Sequence, residues 1–162
     1  MACIESHVVR AVVSLEESAS FAEAARVMSK AGIGSVGVLR ASKLVGLVTE
    51  HDLFAAMAGG ADPELTPLDR ALPPVLPAIS PTATELQAAE AMRAYRTRHL
   101  AVVERGEILG VFSLLDLVEL VVEEKQWSID QLETYIRGGR AAQLSAPLRS
   151  VFAHDHEGLL LG

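Results

Sequence analysis

Residues 34–53, GSVGVLRASKLVGLVTEHDL, can be laid over residues 98–117, RHLAVVERGEILGVFSLLDL, without a gap and with almost every chemical class retained. The register is constant at 64: Met28 matches Met92, Val38 matches Val102, Gly46 matches Gly110, Thr49 matches Ser113 and Asp52 matches Asp116. Upstream, Val13-Ser14 matches Ile79-Ser80 at a spacing of 66, which predicts a loop two residues longer in the first copy. A loop absorbs such a change at little entropic cost. The repeat constrains the fold more than any other feature, because each copy must be the same supersecondary unit. A unit of about 60 residues buries too little apolar surface to be comfortably stable alone, so the two copies are expected to pack into one body.

Each copy reads as β-α-β-β-α. Arg10 to Ser14 and Val75 to Ser80 are short β-rich runs, each followed by a capping signature, Ser20-Phe21-Ala22-Glu23 and Thr84-Glu85-Leu86-Gln87. The first helix carries Phe21, Ala24, Ala25 and Met28 on one face; the second carries Leu86, Ala89, Met92 and Tyr95. Two strands joined by a short polar turn follow in each copy, Val36 to Arg40 with Leu44 to Thr49, and Leu100 to Glu104 with Ile108 to Ser113. A further helix begins at Glu50 and at Leu114. The expected organisation is a first unit over 8–58, a Gly- and Pro-containing connector over 59–74, a second unit over 75–123, a C-terminal helix over 124–138 and a loosely ordered tail over 139–162. Gln126-Trp127-Ser128 is read as a break between helices, with Trp127 a packing anchor, and Gly138-Gly139 as the end of the last one.

Charge and composition narrow the function. The net charge of -7 repels a phosphate backbone, so nucleic acid is not an expected partner. Half of the residues are hydrophobic but only 4% are aromatic, so the core is built from Ala, Val and Leu. The single cysteine, Cys3, forms no internal disulfide and has no placed base, consistent with a reducing, cytoplasmic setting and no catalytic thiol. The first residues lack a signal-peptide pattern, and Ser113, Asp116 and Glu119 interrupt the longest apolar stretch, so no membrane association is expected. His154-Asp155-His156-Glu157 has metal-binding residue types without a fixed frame and is read as incidental.

The repeated chemistry is a hydroxyl at a strand end with a carboxylate three residues on: Thr49 with Asp52, and Ser113 with Asp116. A helix N-terminus and a hydroxyl can receive a phosphate, while an ionised carboxylate can accept hydrogen bonds from both ribose hydroxyls. The same spacing also makes a helix cap, and spacing alone does not separate the two.

Gly46-Leu-Val-Thr-Glu-His-Asp52 and Gly110-Val-Phe-Ser-Leu-Leu-Asp116 are the residues by which each unit resembles the CBS domain, and the pair resembles the tandem arrangement called a Bateman module. The resemblance covers roughly Val8 to Val122. It implies an α/β fold of the α+β kind, two β-α-β-β-α units about a pseudo-twofold axis, with two clefts for AMP, ADP or ATP. It implies phosphate or ribose contacts for Thr49 and Ser113 and ribose contacts for Asp52 and Asp116. It also implies adenine contacts for Val12, Val13 and Val36 in one cleft and for Ala78, Ile79 and Leu100 in the other. The sequence departs from many family members in having Gly37 and Ala101 where a proline is common. Glu124 to Arg137 looks like the C-terminal extension of small stand-alone bacterial CBS pairs, which implies that the whole working protein is present.

The copies differ before the second strand, where Gly32-Ile33-Gly34-Ser35 faces Arg96-Thr97-Arg98-His99 in the other copy. Arg96, Arg98 and His99 are therefore expected to give the Ser113/Asp116 cleft a preference for more phosphate charge, with solvated surface charges as the plainer reading. His51, whose counterpart is Leu115, is expected to reach a phosphate in the first cleft or to stand exposed on the first helical turn. The functional expectation is a cytoplasmic, non-catalytic regulatory module without a catalytic cofactor, binding an adenine nucleotide and acting on an effector protein. The alternative is a ligand-free dimerisation scaffold. Leu117, Val118, Leu120, Val121 and Val122, with Ile129, Leu132 and Ile136, exceed what one helix face needs and point to a homodimer.

Overall fold

The computed structural model describes residues 3–144, with side chains from 3 to 137. Two three-stranded sheets carry the duplication. In the first, β1 (Ser14–Glu16) runs parallel to β2 (Ser35–Arg40), which turns back into β3 (Lys43–Thr49); α1 (Phe21–Ala31) crosses between the first two strands and α2 (Glu50–Ala58) follows the third. The second repeats this with β4 (Ala78–Ile79), α3 (Glu85–Tyr95), β5 (His99–Glu104), β6 (Glu107–Ser113) and α4 (Leu114–Leu144). The order is that expected of an α+β tandem pair.

The first strands are in a different register from the one predicted. Ser14 pairs with Gly37 and Leu15 with Val38, while Ala78 pairs with Ala101 and Ile79 with Val102. Ser14 is thus equivalent to Ala78, the spacing is 64 here too, and neither loop is longer. Matching Val13 to Ile79 aligned two β-branched residues, but the side chain that reaches the core beside Ile79 in one copy is Leu15 in the other. The run Arg10 to Val13 lies outside the strand, and Val13 is exposed.

The same register extends further upstream. A 3-10 turn at Ile4–His7 has its counterpart in a 3-10 turn at Leu68–Ala71, inside the stretch read as connector. Each turn packs on the other copy. Ile4 is fully buried with Met92, Leu100 and Phe112 of the second copy, and Leu68 is fully buried with Phe21, Met28 and Val36 of the first. Backbone bonds repeat the exchange: Cys3 bridges Thr84 and Pro67 bridges Ser20. Burying an aliphatic side chain of this size contributes about 1.5–3 kcal/mol, so each copy stabilises its neighbour through its leading turn. A third cluster, Leu47, Ala101 and Val111, joins the two sheets.

Helix α1 buries Phe21, Ala24 and Met28 as expected but leaves Ala25 exposed, and α3 buries Ala88 and Met92 while Leu86, Ala89 and Tyr95 are exposed. Phe21 is matched by Glu85, so the buried stripe of α3 is narrower and shifts toward Ala88. Helix α4 runs without interruption through Gln126-Trp127-Ser128 and Gly138-Gly139 to Leu144. None of these residues is proline, and a glycine in a helix costs only about 1 kcal/mol, which does not force a stop. The chain divides into two compact units after Glu124. In the second, Gln126 Nε2 donates to Asp130 Oδ1 at 2.9 Å, Arg137 pairs with Glu133 at 3.2 Å, and Trp127 is exposed rather than an anchor. The expected tail lies outside the described residues beyond Leu144, as does the cluster from His154 to Glu157.

Candidate functional site

Thr49 closes β3 and caps α2. Its backbone N–H and Oγ1–H donate to Asp52 Oδ2 at 2.8 and 2.7 Å, and the Asp52 N–H donates back to Oγ1 at 3.2 Å. Ser113 and Asp116 repeat the arrangement at 2.6, 2.6 and 3.3 Å. Both motifs are therefore helix caps, and in both the second carboxylate oxygen, Oδ1, makes no hydrogen bond with the described residues. The cap holds the carboxylate in one orientation while that oxygen stays open to an incoming donor.

Each motif opens into a cleft whose other wall comes from the other copy. Thr49, His51 and Asp52 share a cleft of about 300 Å³ with Pro73, Val75, Pro77 and the segment Tyr95 to His99. Ser113, Leu115 and Asp116 share one of about 270 Å³ with Val9, Ala11, Val12, Val13 and the segment Gly32 to Ser35. The two linings correspond nearly residue for residue at the spacing of 64. Arg96 and Arg98 thus face Thr49 and Asp52, a correction to the expectation that they charge the Ser113/Asp116 cleft, whereas His99 lines both clefts. Each segment is also paired at the backbone with its own copy's motif, His99 with Ser113 and Ser35 with Thr49, and stands against the motif of the other copy across the cleft.

Val12 and Val13 line a cleft, the one with Ser113 and Asp116. Val36 and Leu100 are fully buried in the two cores, Ile79 packs on the second core, and Ala78 packs on the inter-sheet cluster. None of these four lines either cleft. The register of the first strands accounts for it: the cleft positions are Val13 and Pro77, one residue before Ser14 and Ala78. Pro73, Pro77 and Tyr95 escaped the sequence reading for the same reason, although Pro73 and Pro77 stand at the positions matching Val9 and Val13 once 64 is applied throughout.

The cationic segment has two structural peculiarities. Arg96 follows α3 in the left-handed region, with φ 52°, where its counterpart after α1 is Gly32 with φ 65°. Arg98 pairs with Glu50, the first residue of α2, across the two copies. His99 lies between the clefts and borders both. Burial holds its imidazole below the ordinary value of 6.5, and the neighbouring Arg98 guanidinium adds to this, while Glu50, Asp116 and Asp52 pull the other way.

An open groove of about 750 Å³ adjoins both clefts, lined by Met28, Phe54, Met57, Leu114 and Leu115 and sharing Glu50, Arg98 and His99 with one cleft and Gly34 and Ser113 with the other. Leu117 and Leu120 are buried in the second core and Val121 packs against it, so they are not part of an apolar surplus. The exposed apolar side chains of these helices within the first compact unit are Phe54, Met57, Leu114, Leu115, Val118 and Val122, and Ile129, Leu132 and Ile136 are exposed further along α4. Among the described residues no group of three or more His, Cys, Asp or Glu side chains is placed to hold a metal ion, and no helix is long and apolar enough to cross a membrane.

Two β-α-β-β-α units that exchange leading turns and share two composite clefts define a tandem α+β module. The chain belongs to the CBS domain family, whose model matches it twice, at residues 4–59 and 71–123. It is 32% identical over 114 residues to an inosine-5'-monophosphate dehydrogenase from Korarchaeum cryptofilum, a match that covers 70% of this chain and 23% of that enzyme. A crystal structure of a CBS-domain containing protein from Agrobacterium tumefaciens superposes with a TM-score of 0.67 at 30% identity, covering 74% of this chain and 98% of the other. A CBS domain protein from Pyrobaculum aerophilum complexed with AMP superposes with a TM-score of 0.61 at 28% identity, covering 75% of this chain and 99% of the other.

Proposed function

We propose that this protein is a regulatory module of the cytoplasm that binds an adenine nucleotide and signals its presence through a change of shape or association, without catalysing a reaction. The observation that carries the proposal is the orientation of Asp52 and Asp116: the helix cap occupies one carboxylate oxygen and leaves the other for ribose hydroxyls in a cleft. The AMP complex of the Pyrobaculum relative supports the ligand class. The clefts are unequal. That of Thr49 and Asp52 holds Arg96, Arg98 and His51, so it favours AMP, ADP or ATP over adenosine, while that of Ser113 and Asp116 offers apolar Val12, Val13 and Ile33 and takes a less charged ligand or none; His99 borders both. Tyr95 adds an aromatic face beside the charged cleft. Phe54, Leu115, Val118 and Val122 are the surface on which two copies associate as a homodimer, because all four are exposed and Leu115, Val118 and Val122 recur at helical spacing along α4.

The test is calorimetric titration of protein stripped of carried-over ligand with adenosine, AMP, ADP and ATP. Binding of the phosphorylated compounds at the Thr49/Asp52 cleft supports the reading; absence of binding by the whole panel overturns it. The fully formed capping boxes favour a second reading, in which the motifs serve stability alone and the protein is a ligand-free scaffold. A melting temperature unmoved by every nucleotide selects that reading.

A further inference from the structure

From the ion pair between the copies we infer that Glu50 is a positioning residue for phosphate recognition: its carboxylate holds Arg98 in place of a phosphate, and a ligand must displace it to use that guanidinium. The inference rests on the nucleotide reading above and adds the residue that sets how strongly the charged cleft responds to phosphate. Three observations support it. Arg98 and Glu50 line the same cleft as Thr49 and Asp52, so a phosphate at the start of α2 lies within reach of the guanidinium that Glu50 now engages. The pair is solvent-exposed, at 62% and 56% for the two side chains. Exposed pairs are weak, so a phosphate carrying nearly two charges competes effectively for the arginine. The other cleft has no such device, since the positions equivalent to Arg98 and Glu50 are Gly34 and Leu114.

Both partners also line the rim of the large apolar groove, and the Glu50 N–H donates to the Gly34 carbonyl at 3.0 Å. Glu50 therefore stays fixed by its backbone while its side chain is released.

The test is a double-mutant cycle on the full chain, with AMP and adenosine as probes and calorimetry as the readout. Glu50→Gln removes the competing charge and is expected to tighten AMP about two- to fivefold, the range of an exposed ion pair, while leaving adenosine unchanged. In the Arg98→Ala background the same substitution is expected to have no effect on AMP. A gain that persists in that background makes Glu50 a through-space repulsion and overturns the inference, as does an unchanged or weaker AMP affinity in Glu50→Gln alone. Unchanged melting temperature for both variants separates these outcomes from a folding defect, and Glu50→Ala offers the same comparison if Glu50→Gln proves unstable. Failure of the unmodified protein to bind either probe overturns the nucleotide reading and this inference with it; binding with an unaltered AMP-to-adenosine ratio in Glu50→Gln overturns this inference alone.

Discussion

Replacing Arg96 with glycine should make the protein more stable and a poorer binder of phosphate. Arg96 occupies the position after α3 at φ 52° and ψ 43°, and its counterpart Gly32 follows α1 at φ 65° and ψ 33°. The hydrogen bonds around the two match, since Thr97 N–H donates to the Met92 carbonyl and Ile33 N–H to the Met28 carbonyl, each at 3.0 Å. The backbone therefore needs no rearrangement to accept glycine. A side chain in the left-handed region costs about 1–2 kcal/mol, and glycine returns about 0.4–1 kcal/mol of that as extra freedom of the unfolded chain. The net gain is about 0.5–1 kcal/mol, or a rise in melting temperature of roughly 1–4 °C for a chain of this size. Urea denaturation should show a higher midpoint at unchanged slope. The reverse exchange, Gly32→Arg, should destabilise by a similar amount, because nothing lies within 4 Å of a Cβ placed there and only backbone strain is added. Calorimetry with AMP should show Arg96→Gly weakening binding about three- to thirtyfold, the range of one charge-assisted phosphate contact reduced for exposure, with adenosine little affected. A stability equal to or below that of the parent would refute the strain argument; an AMP affinity equal to that of the parent would remove Arg96 from the site.

Asp52→Ala and Asp116→Ala should each lose about 0.5–2 kcal/mol of stability as a lost cap. Each should also lose roughly 10- to 100-fold in affinity at its own cleft; lost stability with intact affinity in calorimetry would reduce that carboxylate to a cap. Gly110→Ala should destabilise by about 1–3 kcal/mol, because its Cβ would meet the Val9 carbonyl oxygen at 2.6 Å and break the bridge from Val9 to Val111, whereas Gly46→Ala meets only the flexible end of Leu72 and should cost less; chemical denaturation of the pair checks this. His99 titrates below 6.5 when folded, so the unfolded chain takes up its proton first as pH falls. Its contribution to stability is thus complete above the unfolded value of about 6.5 and is lost below it, and His99→Gln should show a smaller loss between pH 7.5 and 5.5 than the parent. Light scattering at tens of micromolar protein, on the order of the affinities that sustain a weak dimer, should report a dimer that Leu115→Glu converts to monomer; a monomeric parent removes the interface.

The repeat at 64, the β-α-β-β-α order and the two hydroxyl–carboxylate motifs were all legible in the linear sequence, because each is a local pattern: capping residues, strand alternation and a recurring spacing. Thr49, Asp52, Ser113 and Asp116 are found where those patterns put them, at strand ends that open into clefts. The short first strands are less legible, since two or three paired residues carry almost no periodicity, and β-branching alone marks Val13 as a strand residue although it lies one position before Ser14. Which residues meet was not legible at all. A constant spacing says that Arg98 is equivalent to Gly34 and Ile4 to Leu68; it does not say that Arg98 faces Thr49 or that Ile4 fills the core beneath Phe112. The sequence by itself determined a duplicated module and the chemistry repeated in it. Only the tertiary structure decided that each cleft draws its walls from both copies, because the pseudo-twofold packing that buries the two leading turns also sets each cationic or glycine-rich segment, paired at the backbone with its own motif, against the motif of the other copy.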